Sequence, residues 1–168
     1  MTASDWIAIV SLIALVLGGG VSGVFALWQW HNSCKTRRAE FINQIFEKLL
    51  FDSELSETIY MIEYDKPWYY KFHGGSEQER KVDCLFTYLT YICYLNENKV
   101  ISNNEFRILE YVIKRVCQSK QTQVYLLVLS QFSKDQGVPP PFYDLVMYMR
   151  NKVLTETEKE KFDSLNGC

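Results

Sequence analysis

From Trp6 to Trp30 the chain is almost entirely apolar and carries no charge between Asp5 and Lys35; beyond that point apolar positions recur at helical spacing. A bilayer core about 30 Å thick takes roughly 20 apolar residues of helix, and this run meets that length with a tryptophan near each end, where amphipathic rings favour the interface. The remainder reads as a series of amphipathic helices. Phe41, Ile42, Ile45, Phe46, Leu49 and Leu50 predict a juxtamembrane helix that carries the span straight into a helical domain as a rigid joint. Leu55, Ile59 and Ile62 predict a second helix over 53–64, stopped at Asp65-Lys66-Pro67, since proline disfavours helix in the residue before it. Ser76 to Glu79 and Ser102 to Glu105 have the form of capping boxes. The first opens a helix through Val82, Leu85, Phe86, Leu89, Ile92, Cys93 and Leu95, and the second a helix through Phe106, Leu109, Val112, Ile113 and Val116 to Cys117. Residues 121–132 predict another helix, with a strand over Val124 to Leu129 as the alternative, because a short apolar run does not decide between them. After the extended break Gly137-Val138-Pro139-Pro140-Pro141, residues 142–153 resume a helix, and Thr155 to Glu158 caps a last, charged one ending near Leu165. The expected fold is all-α: one N-terminal transmembrane helix continuing into a cytoplasmic bundle of about five to seven helices.

The chain is thus expected to hold a membrane segment over 1–30 and a helical domain over 31–168, which is the usual size of one domain. Three features favour a retained anchor over a cleaved signal peptide. The run begins beside Asp5, its basic flank lies on the far side, and it exceeds the usual apolar length of a signal; Val24-Phe25-Ala26 is the one stretch that could pass as a cleavage box. Lys35, Arg37 and Arg38 form that flank and set the topology, with the C-terminal domain in the cytoplasm; in a bacterium the membrane is the inner one. They are too few for a lipid-binding basic cluster.

The composition of the span adds a surface. Ala14, Gly18, Ser22 and Ala26 recur every four residues, and Gly19 and Gly23 form a Gly-x-x-x-Gly pair on an adjacent strip. Small residues at that spacing let helix backbones approach closely, and packing drives association inside lipid. Self-assembly is expected, with Ser11, Ala14, Gly18, Gly19, Ser22, Gly23 and Ala26 at the contact or lining a pore. The other reading is a monomeric anchor with a flexible Gly18-Gly19-Gly20 kink.

The domain offers little chemistry. Eighteen basic and twenty acidic residues give a net charge of −2 and no field that would favour nucleic acid, so direct nucleic-acid binding is not expected. Five cysteines, Cys34, Cys84, Cys93, Cys117 and Cys168, are widely spaced, which suits a reducing compartment and argues against a structural zinc site. The chain has no Gly-rich phosphate loop, no His-Glu-x-x-His motif and no Gly-x-Ser-x-Gly elbow. The helical ribonucleases of bacterial defence carry an Arg a few residues before a catalytic His. Here neither His31 nor His73 has one at that spacing, which disfavours a membrane-bound ribonuclease. No enzyme, metal or cofactor is expected. Trp68, Tyr69, Tyr70 and Phe72 form the densest aromatic loop and are either folded onto the domain by their own rings or a partner surface, aromatics being enriched at hot spots. Arg80 and Asp83, three residues apart, are expected to pair on one helix face.

The pattern Ile62-Glu63-Tyr64-Asp65, Trp68, Phe72, Gly75-Ser76, Glu79-Arg80 and Val82-Asp83 resembles an uncharacterised group of bacterial proteins with one membrane helix and a small helical domain. The resemblance spans about residues 1–130. The layout is also similar to the small membrane accessory protein of type VI-B CRISPR systems, which has a degenerate helical-ribonuclease domain and assembles into a pore. That resemblance implies an oligomeric inner-membrane effector of antiphage defence, partnered by the lipid bilayer and functionally linked to an RNA-guided RNA nuclease. A membrane-anchored docking or signalling module without pore activity is the alternative.

Overall fold

In the computed structural model the described residues are 3–69 and 74–166 for the backbone; within them, the side chains of residues 3–19, Val21, Leu165 and Asn166 are left aside. They form seven helices and no strand. These are α1 (Ala3–Phe51), α2 (Ser53–Glu63), α3 (Glu77–Glu97), α4 (Asn103–Gln118), α5 (Lys120–Asp135), α6 (Tyr143–Lys152) and α7 (Glu156–Asn166). Val124 to Leu129 lie inside α5, so the strand alternative is discarded. The apolar run and the expected juxtamembrane helix are one element, α1. Among the described residues no helix is long and apolar enough to cross a membrane. Most of the apolar run, with the expected contact positions Ser11, Ala14, Gly18 and Gly19, falls on side chains outside the described set. The all-α architecture is therefore observed, and its membrane-spanning part is not.

The chain divides within α1 into a unit ending at Ile45 and a unit over Phe46–Cys168. The second unit is built around α3, which packs against α2, α4 and α6, while α4 also packs on α5 and α5 on α7. The helical spacing of apolar residues is what α3 buries: Val82, Leu85, Phe86, Leu89 and Ile92 are fully enclosed, as are Leu109, Ile113, Leu145 and Met149 on the helices packed against it. Each such side chain is worth roughly 1.5–3 kcal/mol of transfer free energy.

The helix starts follow side-chain caps. Asp52 accepts from the N–H groups of Glu54 and Leu55 at 3.0 and 3.2 Å and opens α2. At α4, Ser102 and Glu105 satisfy each other's backbone amides as the expected box. At α3 the box is only half formed: Ser76 accepts from Glu79 N–H at 3.0 Å, but the Glu79 carboxylate takes the N–H of Gly75 at 2.6 Å. Gly75 has φ +85°, which swings its amide toward that carboxylate, a backbone state glycine adopts at little cost.

Three helices stop in the same way. The residue after the C-cap is left-handed in each: Asp65 after α2, Lys99 after α3 and Gly137 after α5. The N–H two positions after the C-cap then returns to a carbonyl in the last turn, Lys66 to Met61, Val100 to Leu95 and Val138 to Ser133, each at 2.9–3.0 Å. This is the Schellman arrangement, which satisfies carbonyls the helix leaves open. Between α4 and α5 the break is Ser119 alone, whose extended ψ of 131° ends one helix and begins the next.

Candidate functional site

The basic flank, Lys35, Arg37 and Arg38, is exposed on α1. Of the small-residue positions, Ser22, Gly23 and Ala26 are described, and all three are exposed. A Cβ added at Gly20 or Gly23 would meet nothing within 4 Å among the described residues, so this stretch of α1 has open room beside its backbone.

The aromatic loop divides. Tyr70 and Phe72 lie outside the described residues. Trp68 is 1% exposed, which corrects its assignment as a partner contact. Its ring sits edge-on to Phe86 and Tyr125 with centroids at 6.1 and 5.2 Å, and Tyr69 packs on Tyr125 at 4.9 Å. Two polar side chains at the start of α5 anchor it. Gln121 accepts from Trp68 N–H at 3.2 Å while its amide donates to the carbonyls of Asp65 and Lys66. Ser119 donates to the Asp65 carboxylate at 3.4 Å. Trp68 Nε1 is buried without a hydrogen-bond partner among the described residues.

The expected pairing of Arg80 with Asp83 is replaced. Asp83 accepts from the Tyr125 hydroxyl at 2.7 Å, and among the described residues no ion pair joins it to Arg80. Arg80 is exposed whereas Asp83 is half-buried, so the two side chains leave α3 on different sides of its surface boundary. Burial raises the Asp83 carboxyl, the Tyr125 hydrogen bond works against that rise, and Glu79 adds to it. The same burial and the facing carboxylate push the Tyr125 hydroxyl well up.

One cleft of the domain has no counterpart among the sequence-based expectations. A cleft of about 430 Å³ lies between the C-terminal end of α3, the first half of α4 and one face of α6. Its aromatic part is Phe106 against Tyr148, centroids 5.8 Å apart, and the Tyr148 hydroxyl donates to Glu110 at 3.2 Å. Burial and Glu110 together raise that hydroxyl. Cys93 lies at the cleft with its thiol pushed up to about 12, first by burial and then by the negative charges of Asp144 and Glu97, so it stays protonated and a poor nucleophile. Asn96 donates to Asn103 at 3.1 Å across the α3–α4 turn. Around this cleft stand Glu97, Arg107, Asp144 and Lys152, and none of the four forms an ion pair among the described residues. The sequence signal was there as polar residues at helical spacing, Asp144, Tyr148 and Lys152 on α6 and Asn103, Arg107 and Glu110 on α4. Nothing local told that the two stripes face one another.

Among the described residues no group of three or more His, Cys, Asp or Glu side chains is arranged to hold a metal ion. Comparison with protein-family models, with curated proteins and with solved structures finds no match for this chain.

Proposed function

We propose that the chain is a single-pass membrane effector that assembles through its N-terminal helix, with the helical domain on the cytoplasmic side. The observation that carries this reading is the uncharged run from Trp6 to Trp30 at the head of the uninterrupted helix α1, with basic residues only on its C-terminal side. The open space at Gly20 and Gly23 and the exposure of Ser22 and Ala26 support a face on which a second helix can lie closely. In this reading a ring of such helices dissipates the membrane potential. Similarity to the CRISPR accessory family supplies the setting, antiphage defence beside an RNA-guided RNA nuclease. A pore lined by Ser11, Ser22 and bare glycine backbone would select poorly among ions.

The test is the mass of the full-length chain in detergent, alongside Ser22→Leu and Gly23→Leu. A defined oligomer that either variant breaks supports the effector, and a wild-type chain that stays monomeric at every concentration removes it. Potential-sensitive dye in cells under phage challenge then reads the activity itself.

A second reading, a membrane-anchored docking module, draws on a different observation. Tyr60 and Tyr64 stack at 6.2 Å and are exposed on α2 and just beyond it, with exposed Tyr111 on α4. Capture of a soluble partner by residues 31–168, abolished by Tyr64→Ala and Tyr111→Ala together, favours docking over the pore.

A further inference from the structure

The unpaired charges of the α3–α4–α6 cleft carry an inference independent of the membrane reading. Several cations of the domain close on carboxylates: Arg115 on Glu63 at 3.1 Å, Arg150 on Asp163 at 2.6 Å, and Lys120 on Glu158 at 3.1 Å. In the cleft, Arg107 and Lys152 border the same space as Glu97 and Asp144 without closing on them. Four charged heads are thus held apart around a cavity whose volume, about 430 Å³, falls in the range of small-molecule sites.

The signs limit what fits. With Glu110 the lining holds three carboxylates and two cations. A nucleotide brings several negative charges against the three carboxylates, and a polyamine brings several positive ones against Arg107 and Lys152. A ligand with one charge of each sign at its two ends satisfies both sets. The separation limits it further. Asp144 and Lys152 are eight residues apart on one face of α6, about 12 Å along its axis. The α-ammonium and α-carboxylate of a free amino acid sit on one carbon and cannot span that distance, whereas an extended peptide advances about 3.3–3.6 Å per residue. Asn104 and Asn151 beside the charged groups offer amides for a peptide backbone, and the Phe106 and Tyr148 rings offer an apolar surface for a side chain.

We propose that this cleft binds a short peptide of about three residues in its zwitterionic form, its ammonium taken by Asp144 or Glu97 and its carboxylate by Lys152 or Arg107. The probes are trialanine, N-acetyl-trialanine and trialanine amide, titrated calorimetrically into the full-length chain in detergent. Trialanine is expected to bind saturably with a Kd of about 1 mM or tighter. Blocking either terminus weakens binding roughly tenfold, the loss for removing a charged hydrogen-bond partner. Asp144→Asn or Glu97→Gln then lowers affinity for trialanine but not for its N-acetyl form, and Lys152→Met or Arg107→Met lowers it for trialanine but not for its amide. Lys114→Met, outside the cleft, leaves all three unchanged. All of these side chains are at least partly exposed, and thermal melts report whether each variant is folded. Absence of saturable heat with trialanine up to about 10 mM overturns the proposal. So does equal affinity for the three probes, and so does binding of spermidine or adenosine monophosphate that the same substitutions abolish. The comparison of blocked with free peptide on the wild-type chain needs no variant at all.

Discussion

Trp68 shows how one residue's environment reverses its role. An aromatic loop after a proline is open to two readings, a contact surface or a plug, and burial to 1% makes the Trp68 ring a plug for the space between α3 and α5. Trp68→Ala is therefore expected to cost about 3–5 kcal/mol, measured as a lowered urea midpoint, the penalty of a large core cavity. A loss under about 1 kcal/mol, the range of a surface change, would mean the ring is not core. Asp83, on the same side of α3, gives a prediction with a sign. Burial raises its folded pKa above the unfolded value of about 3.9, so its favourable contribution is complete below that pH and is lost as pH rises through the folded pKa. Asparagine keeps an acceptor for the Tyr125 hydroxyl and does not titrate. The stability of wild type minus that of Asp83→Asn should thus be largest near pH 3 and fall as pH rises past about 4. A difference that grows with pH in that window would mean that the hydrogen bond outweighs burial. The sequence placed Asp83 on α3 correctly but assigned it to Arg80, because neighbours along a helix are visible at spacing three while Tyr125, forty-two positions away, is not.

Helix existence was largely legible: apolar spacing announced most of the elements, and the capping side chains Ser76, Ser102 and Thr155 announced the starts of α3, α4 and α7. Helix ends were less so. The stops at Asp65 and Lys99 are the same left-handed caps as the one at Gly137, but only the last has glycine. A lysine at φ 58° bears the steric cost of its Cβ, and the helix tolerates it because the Val100 to Leu95 and Lys99 to Asn96 hydrogen bonds close the end. Lys99→Gly is expected to stabilise the domain by about 0.5–1 kcal/mol, since relief of that strain exceeds the added freedom of the unfolded chain. The readout is a melting temperature higher by roughly 2–4 °C. An unchanged or lower value would mean that contacts of the lysine side chain outweigh its backbone. The cleft escaped the sequence for a reason of the same kind. Each of its polar stripes is unremarkable on its own helix, and it takes the packing of α4 and α6 against α3 to set them around one space.

At the scale of the whole chain, the proposed membrane role assigns the core of the second unit to water and the apolar run of α1 to lipid, and the assignment can be tested by separating the two. The buried side chains of Phe46–Cys168 come largely from six helices that pack on one another, so a fragment of residues 31–168, which keeps that core, is expected to fold in water. That fragment also removes Trp6, Trp28 and Trp30, leaving Trp68 as its single tryptophan. Its emission should be that of a buried indole, and should shift to the red in one cooperative step coincident with loss of helical circular dichroism on adding urea. It should sediment as a monomer without detergent, whereas the full chain should stay with membranes until detergent releases it as the assembled form. A fragment that binds hydrophobic dye and melts without cooperativity would place part of the domain's stability in residues before 31. A fragment that forms the same oligomer as the full chain would move assembly from the small-residue face of α1 to the domain. Trp68 fluorescence would then report which helices close the interface, because its ring touches α3 and α5 together.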